Sequence, residues 1–240
     1  MNKLSIITIV KKDTVGLNKT IDSVLASKIV CEHLIIDGSE SKLYINKAPE
    51  YLKHFWGSDQ GISDAFNRGI FLSSGQYLLF LNAGDELLPN ASQLISEACQ
   101  NDSIDCAWFP VFRMLEDGRA IIFKPRLKYL RYAMSAPHQG LIMQRKVFTE
   151  LGGFPMQKYA MDHYLVLKMI SASPGYLIKC FNSPIATYPS GGHSTRGGNL
   201  PFIYNIWNVI RISPKDFPVA ILANLFLIAK SKFIKRKIND

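Results

Sequence analysis

Cysteine is scarce in this 240-residue chain. Its four cysteines, Cys31, Cys99, Cys106 and Cys180, are scattered, with no CxxC pair and no histidine at ligand spacing. That pattern argues against a disulfide framework or a zinc site and leaves reduced thiols of a cytosolic protein as the expectation. Long apolar runs are also missing. The longest, Phe217 to Ala229, is about thirteen residues, short of the roughly twenty that span a bilayer. Met1-Asn2-Lys3 leads into LSIITIV, which is too short for a signal-peptide core and has no small-residue cleavage site, so no leader is expected. No internal repeat, low-complexity segment or linker divides the chain. With 48% hydrophobic residues, one large domain with one core is the expectation.

What the chain has in excess is positive charge, +9 in all. Such a balance invites an anionic partner. Five of the basic residues fall in the last eleven, KSKFIKRKIND, which reads as a tail rather than a recognition face. With no stacking platform beside it, nucleic acid is not the expected partner.

The hydrophobic pattern predicts a strand at Leu4–Val10, an amphipathic helix over Gly16–Ser27 and a second strand at His33–Ile36, together a βαβ unit with a parallel pair. Residues 44–55 suggest a helix and then a short strand. Asp59–Ser73 is the clearest helix, with Ile62, Ala65, Phe66, Gly69 and Ile70 on one face and Asp64, Asn67 and Arg68 on the other. A strand at Tyr77–Leu81, a helix at Pro89–Gln100, a strand at Cys106–Met114 and a hairpin into Ala120–Phe123 follow.

Tyr77–Leu81 is an almost unbroken apolar run, as a strand buried on both faces reads. It ends on Asn82-Ala83-Gly84-Asp85-Glu86. Open α/β sheets bind ligands outside the carboxyl ends of their strands. A carboxylate there suits a divalent cation carrying a diphosphate. Taken alone, the same residues describe an ordinary turn equally well.

Six ordered blocks, LSIITIV, HLIIDGS, DQGISDAFNRGI, SGQYLLFLNAGDEL, HQGLIMQRKVFTELGGF and YAMDHYLVLKMI, resemble family 2 glycosyltransferases. They are most similar to the bacterial branch of capsule, O-antigen and exopolysaccharide enzymes. The resemblance spans about residues 3–195. It implies a GT-A fold, an α/β architecture with a mixed, mostly parallel central sheet flanked by helices. It also implies transfer of a sugar from a nucleotide-diphosphate donor with inversion at the anomeric carbon. Residues 1–200 would form this domain and 201–240 a helical extension.

Carried onto this chain, the resemblance places Thr8 and Val10 along the base and ribose pocket, where both read equally as core. It places Asp37 against a base N–H, a residue that otherwise forms a turn before Gly38. Asp59, Asp64, Asn67 and Arg68 would lie over the donor diphosphate and sugar, although such residues also make a plain solvated helix face. Arg68 has the planar donor fork that suits phosphate, and the Gly61-bearing loop precedes a helix N-terminus that favours anions. Asn82 and Ala83 fall at the donor, with Asp85 as metal ligand, in place of the family's DxD. Here Asn82 replaces the first aspartate and Asp85 stands three residues on, so a Mn²⁺ or Mg²⁺ ion would be held weakly. His138, Gln139, Gly152 and Gly153 match the acceptor-side block. Asp162 lies where the general base lies, or else caps the helix it begins. In the loop 191–198, His193 could ligate the metal and Arg196 could contact the diphosphate.

Beyond this, a stripe from Phe202 to Ile210, the apolar run from Phe217 and the basic tail suit a helix lying in a membrane interface. A helix packed on the domain or a dimer contact reads the same sequence. The expectation is therefore a metal-assisted transferase at the inner face of the cell membrane. Its acceptor would be a saccharide or a lipid-linked saccharide, and its oligomeric state stays open. The rival is a nucleotide-sugar-binding or membrane-assembly protein without turnover.

Overall fold

The computed structural model describes residues 3–134, 136–172, 174–192 and 197–239, with backbone alone from 230. Strand β1 (Leu4–Val10) is buried along its whole length, as its unbroken apolar run requires. Helix α1 (Thr14–Ser27) starts where the Asp13 carboxylate accepts the Gly16 N–H at 2.8 Å, and β2 (Glu32–Asp37) returns parallel to β1. Strand β3 (Leu52–Trp56) extends the sheet outward, α2 (Ile62–Leu72) crosses back, and β4 (Tyr77–Asn82) pairs with the free edge of β1. The order β3-β2-β1-β4 makes the junction of β1 and β4 the point where the winding reverses. A crevice opens there beyond the strand ends.

The chain continues through β5 (Glu86–Leu87), α3 (Ala91–Gln100), β6 (Cys106–Trp108), β7 (Val111–Met114), β8 (Ala120–Phe123) and α4 (Leu127–Leu130). A 3-10 turn at His138–Gly140 leads into β9 (Leu141–Gln144), α5 (Arg145–Leu151), α6 (Met161–Ser171), β10 (Ile178–Cys180) and β11 (Ala186–Pro189). Two helices, α7 (Leu200–Ile212) and α8 (Phe217–Asn239), complete the described chain. The larger sheet runs β10-β6-β9-β4-β1-β2-β3, with β9 antiparallel to both neighbours; the smaller runs β5-β11-β7-β8. Successive residues of β1 feed opposite layers. Ile7 and Ile9 pack with Phe66, Phe80, Phe148 and Leu165, while Leu4 and Ile6 join Leu79, Ile95 and Ile142.

Two predicted elements differ. Residues 38–51 hold no helix, because Asn18 anchors the segment instead, donating to the Tyr44 carbonyl and accepting from Asn46 N–H, before Pro49. The single strand expected over Cys106–Met114 is two strands in different sheets. Pro110 cannot donate to a ladder, and Phe109 N–H turns to the Gly140 carbonyl at 2.8 Å.

The C-terminal helices pack on the domain through an unusual face. Val209 and Ala220 meet Leu167, yet the other buried positions are asparagines. Asn205 bonds Asn224 at 3.1 Å, Asn208 donates to the Ala160 carbonyl and Asn224 to the Tyr132 carbonyl. Ile203, Trp207 and Ile210 of α7 and Val219, Leu222 and Phe226 of α8 face outward, Leu222 and Phe226 being more than 60% exposed. Among the described residues no helix is long and apolar enough to cross a membrane.

Candidate functional site

The crevice is floored by the ends of β1 and β4. Ala83 N–H bonds the Ile9 carbonyl at 3.0 Å, and Gly84 N–H bonds both the Gly16 carbonyl and the Thr20 hydroxyl. The 82–85 turn is thus tied to β1 and α1. Val10 packs with Leu17, Ile21, Ile35 and Ala83 beneath this floor. Thr8 is fully buried, its hydroxyl 2.9 Å from His33 Nε2.

Asp37 ends β2 without exposure. Its oxygens accept Ser39 N–H and Leu43 N–H and meet His54 Nε2 at 3.1 Å. Burial pushes its pKa up, but these hydrogen bonds outweigh it and hold the group below the ordinary carboxylate range. Asp59 accepts Gly61 N–H at 3.0 Å, lies 3.4 Å from Lys11 Nζ, and packs directly over Gly38.

The polar face of α2 divides by task. Asp64 accepts Gln60 N–H in the first turn, where a carboxylate also offsets the helix dipole. Arg68 donates to the Gly57 and Ser58 carbonyls and lines a cleft of about 650 Å³ with His54, Trp56 and Asn67. None of Asn82, Asp85, His138 and Asp162 lines that cleft. Asn67 turns toward the acceptor-side block: its amide donates to the Phe154 carbonyl at 2.8 Å and accepts Phe154 N–H at 2.9 Å. Gly152 (φ 80°) ends α5, and Gly153 (φ 70°) lets Asn67 approach, since a Cβ there would meet its Oδ1 at 2.7 Å.

The structure brings together Asn82, Asp85, His138, Gln139 and Asp162. Asp85 is 3% exposed, and its Oδ2 accepts both Asn82 N–H at 2.7 Å and Gln139 Nε2 at 3.1 Å. Burial raises its pKa to about 6, against the pull of His138 and of these two bonds. His138 lies between Asn82 Nδ2, 3.3 Å from its Nε2, and Asp162 Oδ2, 3.7 Å from its Nδ1. Asp162 keeps 24% of its side chain exposed. Burial acts to raise its pKa, but His138 and the His163 N–H prevail and lower it, so the carboxylate is ionised at neutral pH. The N-cap of α6 is Ala160, so Asp162 is not the N-cap; it stands inside the first turn, where its Oδ1 accepts the His163 N–H.

Sequence patterns gave no sign of His54 or Thr20. Each joins the site through a partner distant in sequence, and neither has a local motif. His193 and Arg196 lie outside the described residues. Among the described residues no three His, Cys, Asp or Glu side chains gather as a metal cluster. Asn82 Oδ1 is nonetheless buried without a partner beside the one carboxylate of Asp85. One charged and one neutral hard oxygen fit a divalent cation whose remaining ligands come from a diphosphate.

Comparison with known proteins agrees with this architecture. A mannosyltransferase from Pyrobaculum calidifontis, PcManGT, solved with GDP-Man and Mn²⁺, superposes with a TM-score of 0.65 over 95% of this chain and 72% of its own, at 14% identity. S. aureus TarS 1-349, solved with UDP-GlcNAc, gives 0.61 over 88% of this chain at 12% identity; the match spans 67% of the TarS chain. These likenesses fix the fold as GT-A. An uncharacterized glycosyltransferase of Mycobacterium tuberculosis, Rv1514c, is 28% identical over 204 residues, 79% of this chain and 77% of that protein. The sequence model of glycosyl transferase family 2 matches residues 5–159, from β1 to the edge of α6 and across the β1–β4 crevice. The chain belongs to that family.

Proposed function

We propose that this glycosyltransferase transfers a sugar, with inversion, from a nucleotide-diphosphate-sugar to a hydroxyl of a saccharide or lipid-linked saccharide in bacterial cell-surface polysaccharide synthesis. The observation that carries the reading is Asp162, a carboxylate held ionised and partly exposed, reaching the β4 end through His138. In an inverting displacement the acceptor O–H gives its proton to Asp162 while its oxygen attacks the anomeric carbon. The anomeric C–O bond to the diphosphate breaks on the opposite face. Asp59 and Arg68 orient the nucleotide side of the donor, Asp37 acts there only by holding the backbone of Ser39 and Leu43, and the Gly152-Gly153 turn, clasped by Asn67, borders the acceptor. A divalent ion held by Asp85 and Asn82 supplies positive charge to the leaving diphosphate when bound. The solved relatives' donors, UDP-GlcNAc and GDP-Man, are the first to try.

The inside-out polarity of α7 and α8 supports peripheral attachment at the inner face of the membrane. Asparagines are buried and Trp207, Leu222 and Phe226 exposed, and the basic tail follows in sequence.

The test is a screen of UDP-, GDP- and dTDP-sugars with Mn²⁺, Mg²⁺ or EDTA, reading released nucleotide and melting temperature together. One donor should both stabilise the protein and release nucleotide. Asp162→Asn should keep the stabilisation and lose the release; full turnover in that variant removes Asp162 as base. The single carboxylate at 82–85 favours a second reading, donor binding without turnover, which predicts stabilisation and no release from any donor, even with lipid-linked acceptors present.

A further inference from the structure

The 3-10 turn at His138–Gly140 is fixed at both ends. Trp108 Nε1 donates to the Pro137 carbonyl at 3.2 Å, and Gly140 packs so tightly on the Phe109 carbonyl that a Cβ would lie 2.1 Å from its oxygen. From this rigid turn two consecutive side chains reach into the crevice. Gln139 holds Asp85, and His138 spans Asn82 and Asp162. The buried Phe66 ring makes a T-shaped contact with the imidazole, with centroids 5.9 Å apart.

The contacts also set the tautomer. Asn82 Nδ2 is a donor, so His138 Nε2 accepts from it and the ring proton belongs on Nδ1, the atom facing Asp162 Oδ2. The other Asp162 oxygen already accepts the His163 N–H at 2.8 Å. At 3.7 Å the His138 contact is just outside hydrogen-bond length, as catalytic contacts often are before substrate closes a site.

We propose that His138 is a positioning residue that couples the acceptor-side carboxylate Asp162 to the donor-side strand end at Asn82, so that base and anomeric carbon are held in one register. This rests on the assignment of Asp162 as base. Asn82 stands on β4, a central strand, whereas Asp162 stands on the first turn of α6, which joins the sheet only through packing. Without the imidazole no other side chain, among the described contacts, joins the two. An error of about 1 Å in such a register costs on the order of 100-fold in rate.

The experiment measures nucleotide release from the donor panel above, with wild type, His138→Ala, His138→Gln, Asp162→Asn and the His138→Ala/Asp162→Asn double variant. His138→Ala should lower kcat about 100-fold with donor KM within about threefold of wild type. His138→Gln, whose amide can still reach both neighbours, should recover at least about tenfold of that loss. The double variant should be no slower than Asp162→Asn, because residues acting as a unit are not additive. Long-range ¹H–¹⁵N spectra of the imidazoles supply a readout independent of turnover. The signal lost in His138→Gln should carry its proton on Nδ1 in the wild type and should shift in both Asn82→Ala and Asp162→Asn.

An inactive Asp162→Asn with a fully active His138→Ala overturns this proposal and leaves the base assignment standing. A fully active Asp162→Asn overturns the assignment first and the proposal with it, as does a wild type that releases nucleotide from no donor. A proton on Nε2, or an imidazole signal indifferent to both substitutions, also overturns the proposal. So does a His138→Ala loss confined to KM, or one that His138→Gln does not relieve.

Discussion

Adding one methyl group at residue 38 should unseat Asp59, and the size of the effect follows from the coordinates. Gly38 does not occupy the left-handed region, so alanine meets no backbone penalty there. The obstacle is spatial: its Cβ would lie 1.6 Å from Asp59 Oδ2 and 2.6 Å from Cγ. Reaching a tolerable 3.0 Å requires the carboxylate to move by at least 3.0 − 1.6 = 1.4 Å. Asp59 has little room to do so without loss. Its side chain is 5% exposed, and its Oδ1 accepts the Gly61 N–H at the entrance to α2. A hydrogen bond to a charged group contributes about 1.5–3 kcal/mol, so Gly38→Ala should cost about 2 kcal/mol. In a chain of this size that is a fall of roughly 4–8 °C in Tm. The assay is a double-mutant cycle by urea denaturation. In an Asp59→Ala background the same methyl should cost less than about 0.5 kcal/mol, giving a coupling of about 1.5 kcal/mol. Equal costs in the two backgrounds would refute the reasoning. Donor affinity should follow the same cycle, because Asp59 belongs to the donor side of the proposed site.

Two buried carboxylates should respond to pH in opposite senses. Glu32 is desolvated, yet bonds from Lys53, Ser5 and Ser74 hold its pKa near 2 rather than 4.5. Because the folded value is depressed, its contribution is present above pH 4.5 and lost as pH falls toward 2. That contribution is about 3 kcal/mol at neutral pH, so Glu32→Gln should be destabilised at pH 7 and converge on wild type near pH 2 in urea titrations. Asp85 is raised by burial to about 6 from 3.8, so its favourable contribution exists below pH 3.8 and disappears as pH rises through 6. Without metal or donor, Asp85→Asn should therefore exceed wild-type stability by about 2 kcal/mol at pH 8, with no advantage below pH 4. For the C-terminal helices, sedimentation with vesicles containing a third anionic lipid should capture the protein. Trp207→Ser/Phe226→Ser should reduce capture at least fivefold without lowering Tm; undiminished capture would remove those side chains from the interface.

Apart from the helix expected after Tyr44, which is absent, the strands and helices of the β1–β4 half were legible because their signals are local. An apolar run such as Leu4–Val10 or Tyr77–Leu81 can satisfy burial on both faces only inside a sheet, and the apolar face of Asp59–Ser73 fixes a helix on it. The family blocks then placed Asp85, His138 and Asp162 in one crevice, and the fold brings them together. What periodicity does not carry is partnership. Asp64, Asn67 and Arg68 share one polar face, yet Asn67 spends its amide on the backbone of Phe154, 87 residues away.

The C-terminal stripe shows the same limit more sharply. Phe202 to Ile210 reads as one apolar band, but Val209 packs inward while Ile203, Trp207 and Ile210 stay outside. The buried helix face is completed by Asn205 and Asn208, which a hydropathy argument would have assigned to solvent. Each donates its Nδ2 to a partner inside, Asn205 to Asn224 Oδ1 and Asn208 to the Ala160 carbonyl at the left-handed residue that starts α6, while both Oδ1 atoms are buried without a partner among the described residues. That strained start stands two residues before Asp162. The Asn208 contact from α7 therefore also holds the first turn on which the proposed base is carried, through a hydrogen bond of 2.8 Å.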